Sequence, residues 1–95
     1  ATNGRRPQLV FFTSTRSGRA RRVEGYLAAV LQRRGNHDTF ELVQVDIDGF
    51  PEIAERLGVD SVPVLMVIDE GSVQARLENP PGAAAISDAL EPWLK

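Results

Sequence analysis

The residues of this chain best suited to chemistry sit in one short stretch, T13-S14-T15-R16-S17-G18-R19-A20-R21-R22. Ser14, Thr15 and Ser17 bring hydroxyls, and Arg16, Arg19, Arg21 and Arg22 bring guanidinium groups, with no cysteine, histidine or carboxylate among them. An apolar LVFF precedes the stretch and a helical pattern follows it, so it forms the polar elbow between a strand and a helix. Ser17 suits the N-cap, where its oxygen accepts a free amide of the first turn. Four cations do not suit that place. A helix N-terminus carries roughly half a positive charge, and each cation set there costs about 0.3–1 kcal/mol at low salt. Glu24 is the only acid in reach along the helix. A local preference broken in this way points to function. Free amides, hydroxyls and guanidinium forks together would hold phosphate or carboxylate. Two structural readings stand beside that one. The arginines are long and screened by solvent, or Asp46, Asp48, Asp60, Asp69 and Glu70 fold back onto them.

The elements that must position this elbow can be read along the chain. Residues 1–7, ATNGRRP, form a polar, flexible lead-in closed by Pro7, and residues 8–95 form one domain. QLVFFT is continuously apolar and suits a buried central strand. From Gly18 to about Arg34, Ala20, Val23, Leu27, Val30 and Leu31 fall at helical spacing, and Gly35-Asn36 stops the helix. TFELVQVDI alternates as a second strand. PEIAERLGV is a short helix with Pro51 in its first turn, Ile53, Ala54 and Leu57 inward, and Gly58 as its stop. SVPVLMVID is a third strand entered through Pro63; Asp69-Glu70-Gly71-Ser72 turns a hairpin, and VQARL returns. After NPPG a last helix places Ile86, Ala89, Leu90 and Trp93 on one face, with Pro92 near its end. The order β-α-β-α-β-β-α implies a right-handed crossover between the first two strands, set parallel, and an antiparallel pair at the other side of a mixed four-stranded sheet.

Length and composition bound what this domain does. At 95 residues it buries ~60–65% of its unfolded surface, enough for one modest core. No apolar run approaches the ~18 residues of a membrane span, and no signal segment opens the chain, so a cytoplasmic location and no membrane partner are expected. The absence of cysteine excludes a disulfide framework, a thiolate nucleophile and a thiolate-held metal. His37 lies alone in a polar GNHD turn, a poor metal site. Net charge is −2, but residues 1–37 hold eight arginines and one glutamate, while residues 38–95 hold three basic residues against twelve acids. That asymmetry hints at polar partner surfaces. DIDG begins like a calcium loop, yet its twelfth position is Leu57 instead of a glutamate. SGRARR lacks the Lys-Ser/Thr ending of a P-loop. Nucleic-acid binding would want stacking aromatics, and near the patch only Tyr26 is on offer, at core spacing.

The run V45-D46-I47-D48-G49-F50-P51-E52-I53-A54-E55-R56-L57-G58-V59-D60-S61-V62-P63, with LVFF ahead of a helix and EGSV after the third strand, resembles the thioredoxin family from about Leu9 to Leu94. The resemblance implies a thioredoxin-like α/β fold, a four-stranded mixed sheet flanked by three helices, with a cis Val62–Pro63 bond. It also sets Ser17-Gly18-Arg19-Ala20 where that family has Cys-Gly-Pro-Cys. Dithiol–disulfide exchange needs an attacking thiolate and a resolving thiol, so this chain cannot perform it. The surroundings of the motif differ too: Arg16 stands at the family's tryptophan, Arg19 at its proline, Phe11 at its buried aspartate and Val64 at the threonine after the cis proline. That pattern reads as natural loss of redox work.

The expectation that follows is a binding module, with no catalytic residue, metal or cofactor. It presents Thr15, Arg16, Ser17, Gly18, Arg19, Ala20, Arg21 and Arg22, with Val62, Pro63 and Val64, to a protein or peptide partner, acidic or phosphate-bearing. In this family the backbone beside the cis proline takes an extended peptide as an added strand, a role that survives without cysteines. The alternatives are an oxidoreductase whose cysteines were lost or engineered away, a glutathione-linked use of Ser17, and a domain that stabilises a larger assembly.

Overall fold

Leu9, Val10, Phe11 and Phe12 form the middle of β1 (Gln8–Thr13), and all four are buried. A run of this kind has no polar face to give to water, so the strand must lie inside a sheet covered on both sides. In the computed structural model, which describes residues 6–94, with Arg34 by its backbone alone, it lies there. The sheet order is β2-β1-β3-β4, with β2 (Glu41–Asp46) parallel to β1 and β3 (Val64–Asp69) antiparallel to it. β4 (Ser72–Glu78) returns antiparallel to β3. Residues 1–5 of the expected lead-in, and Lys95, lie outside the described residues. The Pro7 carbonyl already accepts the Glu41 amide at 2.9 Å.

Strand alternation splits the core in two. Leu9, Phe11, Leu65 and Val67 pack on one face under α1 (Gly18–Gln32) and α3 (Ala83–Leu90), which contribute Ala20, Val23, Leu27, Val30, Ile86 and Leu90. Val10, Phe12, Val64 and Met66 face the other way, toward Ala54 of α2 (Pro51–Arg56), Val45 and Val59. The hairpin turn between β3 and β4 holds Glu70 at φ 53° and Gly71 at φ 79°. Two successive positive values give the turn whose twist matches the strands, and glycine takes the second at no steric cost. No helix of the described residues is long and apolar enough to cross a membrane.

Three local expectations are corrected. The first helix ends at Gln32, short of Arg34, and a 3-10 segment spans Arg33–Asp38. The buried Asn36 explains this: its Nδ2 donates to the Arg33 carbonyl at 2.7 Å and its Oδ1 accepts from Thr39 Oγ1 at 2.8 Å. A side chain that bonds the local backbone offers an alternative to continuing the helix. In α2 only Ala54 is buried; Leu57, just past the helix, is half-buried and packs against the core as expected, whereas Ile53 is exposed and lies outside that cluster. On edge strand β2, Val45 is buried and Val43 half-buried against the α2-side core, while Leu42 is exposed. Pro92 lies beyond α3, in a turn closed by the amides of Trp93 and Leu94 on the Leu90 carbonyl.

Phe12 is completely buried at the centre of the α2-side core. Phe12→Ala is expected to lower the unfolding free energy by about 3–5 kcal/mol, measured by urea denaturation. A loss below about 1 kcal/mol would show a core loose enough to collapse around the void.

Candidate functional site

Strand polarity gathers the candidate residues. β1 and β2 run parallel and both end at the same rim of the sheet; β3, antiparallel, begins there, and β4 ends there. Four connections therefore meet at one end: the elbow 14–17, the loop 46–50, the segment 61–63 and the turn 79–82. Thr13 pairs with Asp46, Phe12 with Val64 and Val64 with Glu78 across this rim. The Asn79 amide donates to the Pro63 carbonyl at 2.9 Å, which ties the last two connections together. The Val62–Pro63 peptide is cis.

The elbow is built by its own hydroxyls. The Ser17 amide donates to the Ser14 carbonyl at 3.1 Å, closing a tight turn over Thr15 and Arg16. Ser14 is buried; its Oγ donates to Asp48 Oδ2 at 2.6 Å and accepts the Arg16 amide at 3.2 Å. Ser17 stands at the N-cap in extended conformation, with its Oγ accepting the Ala20 amide at 3.0 Å. Among the described residues the amides of Gly18 and Arg19 find no acceptor. Two of the three hydroxyls that could have held an anion are thus engaged in structure, and a carboxylate, Asp48, sits beside the first of them.

The arginines are all exposed but do not share one face. Arg21 turns back, its guanidinium donating to the Thr15 carbonyl at 3.3 Å. Arg19 and Arg22 lie on a different stripe of α1, one turn apart, and with Tyr26 they line a cleft against Asn79, Pro80 and Pro81. Arg16 projects from the loop ahead of the cap. No acid occupies the first turn of α1, and among the described residues none of these four guanidinium groups forms an ion pair. Of the acids that could fold back, Asp48 does reach the elbow, but it binds Ser14 and pairs with no arginine among the described residues, and the Asp46 carboxylate accepts the Asp48 amide at 3.0 Å. Beside the elbow, Val62 is half-buried and its backbone N–H and C=O have no partner among the described residues.

A sequence model of the thioredoxin family matches residues 2–92 of the chain. The chain belongs to the thioredoxin family. It is 30% identical over 89 residues to a thioredoxin of Mycolicibacterium smegmatis, a match covering 90% of this chain and 80% of that one. It is 28% identical over 91 residues to a thioredoxin-like protein of Synechocystis, covering 94% and 83%. Among solved structures, a point mutant of thioredoxin from Halobacterium salinarum superposes with a TM-score of 0.79 at 18% identity, over 96% of this chain and 77% of that one. Desulfothioredoxin from Desulfovibrio vulgaris gives 0.79 at 21% identity, over 94% and 83%. These structural likenesses carry the fold. This thioredoxin-family chain has no cysteine, and Ser17 and Ala20 at its motif are respectively a helix cap and a buried methyl. Phe11, at the position the family resemblance assigns to a buried aspartate, is a core residue 2% exposed.

Two features of the site escape sequence reasoning. Arg76 of β4 reaches the end of α2, donating to the carbonyls of Leu57 at 3.1 Å and Gly58 at 2.8 Å while pairing with Glu78 at 2.9 Å. The cleft between Arg19, Arg22, Tyr26 and the 79–81 turn joins residues far apart in the chain, and no local pattern announces it.

The cap and the Ser14–Asp48 bond make separable contributions. Ser17→Ala should lower stability by about 1 kcal/mol. Ser14→Ala should cost about 1–2 kcal/mol, since its hydroxyl both donates and accepts. A double-mutant cycle of Ser14→Ala with Asp48→Asn, read by urea unfolding, is expected to show coupling above about 0.5 kcal/mol; additive losses would show that the 2.6 Å contact does not fasten the 46–50 loop to the elbow.

Proposed function

We propose that this chain is a redox-inactive thioredoxin-family domain that binds an extended protein segment of acidic character at the rim formed by Thr15–Arg22 and Val62–Val64. The observation that carries this reading is the backbone of Val62, unpaired among the described residues, beside a helix start crowded with cations that form no ion pair with any described acid. An extended peptide that adds main-chain bonds to Val62 gains affinity from the backbone and orientation from its charges. Arg16, Arg19, Arg21 and Arg22 supply the complementary potential, which speeds encounter and selects against basic partners. The charge penalty at the helix start is relieved when the partner arrives. Descent from an oxidoreductase accords with the family, but a chain without a thiol has no group to form a mixed disulfide.

An amide NMR titration with a nine-residue Asp/Glu-containing peptide tests the reading. Saturable shifts are expected at Thr15–Arg22 and Val62–Val64, with affinity falling severalfold when the ionic strength rises from ~0.01 to ~0.15 M. Silence at this rim, or shifts confined to β2 or to the outer side of α2, would refute it.

A further inference from the structure

We propose that the cleft between α1 and the 79–81 turn is a phosphate site, taking a phosphate monoester carried on a side chain of the docked segment. It rests on the binding role proposed above and adds the ligand chemistry of one part of that surface. Arg19, Arg22 and Tyr26 follow the spacing i, i+3, i+7 and so lie on one stripe of the helix. Together with Val23, Asn79, Pro80 and Pro81 they line a half-open cleft of about 260 Å³, large enough to admit a phosphate group.

The donor set selects the ligand. Neither the Arg19 nor the Arg22 guanidinium has a hydrogen-bond or ion-pair partner among the described residues, and like charges one turn apart on a helix repel. Pro80 and Pro81 have no backbone N–H, and the Asn79 amide is taken by the Pro63 carbonyl. These three turn residues therefore offer no free main-chain donor, and recognition falls to side chains: the two guanidinium forks first, with the Tyr26 hydroxyl and the Asn79 side-chain amide lining the same cleft. A phosphate monoester near neutral pH carries a charge of about −1.5 to −2 and three acceptor oxygens, so one group can take a fork from each arginine. A single carboxylate would neutralise one arginine and leave the other. The helix N-cap itself is a poorer place for the anion, because the Ser14 and Ser17 oxygens are engaged and the Asp48 carboxylate stands beside the elbow. The bond from Asn79 to Pro63 holds the cleft next to Val62, where the segment's backbone would pair.

The test is calorimetric and NMR titration of the whole chain with three probes: the acidic peptide, the same peptide carrying one phosphoserine, and phenyl phosphate. The expected result is a gain of about tenfold or more from the phosphate, with shifts at Arg19, Arg22, Tyr26 and Asn79. The gain should vanish in Arg19→Gln and in Arg22→Gln and persist in Arg56→Gln, a change on the far face of the sheet. All three sites are exposed, so the variants should fold. Equal affinity for the two peptides would overturn the phosphate site and leave the proposed binding role standing. Phenyl phosphate bound in an Arg22-dependent way, with neither peptide bound, would leave an anion cleft but overturn both the binding role and the segment-borne phosphate proposed here. No binding by any probe would overturn both.

Discussion

The structure depends on burying β1 on both faces. Leu9 and Phe11 belong to one core and Val10 and Phe12 to the other, so the strand can exist only between two layers of helix and between two partner strands. Everything else answers that demand. α1 must return the chain so that β2 lies parallel to β1, and β3 must fill the other side antiparallel. With those directions set, the ends of β1, β2 and β4 and the start of β3 fall at one rim. Ligand sites of open α/β sheets gather beyond the carboxyl ends of parallel strands for this geometric reason. The rim where the four connections meet is therefore a consequence of how an apolar strand was covered, and its geometry does not depend on a thiol.

At that rim, local interactions divide the labour. Ser14 holds the loop 46–50 through Asp48, and Ser17 caps α1. Those bonds keep the elbow in shape without a thiol or a buried carboxylate. The arginines contribute nothing comparable: one bonds a carbonyl of the preceding turn, and the others reach no partner within the described residues. Four cations at the positive end of a helix are a local conflict with the fold, and conflicts of this kind persist where something outside the chain resolves them.

Much of the fold was legible from residue types. Continuous apolar runs marked β1 and β3, the helical spacing of Ala20, Val23, Leu27 and Val30 marked the inner face of α1, and Glu70-Gly71 marked the hairpin. The N-cap at Ser17 was equally readable, because its signal lies within three residues of the amide it serves. What sequence could not show was set by tertiary bonds. Asn36 cuts α1 short through a side-chain bond to Arg33, and Arg76 closes α2 from a strand beyond it in the chain. Ile53 fitted the same helical pattern as Ala54 and Leu57, yet it lies outside the core cluster that those two join. The cleft was invisible for the same reason, since Tyr26 at core spacing both packs against the core and lines an opening made by a distant turn.

Positive charge at the start of α1 that serves the proposed partner must be held there against the stability of the free domain. Urea unfolding of the free chain and of an Arg16→Gln/Arg19→Gln/Arg22→Gln variant, at low and high salt, addresses it directly. Arg21 is left in place because its guanidinium bonds the Thr15 carbonyl. The variant is expected to be more stable by about 1–3 kcal/mol at low ionic strength, with the difference closing as salt screens the helix end. A variant equally or less stable at low salt would contradict it, and would make the arginines part of what holds the domain together.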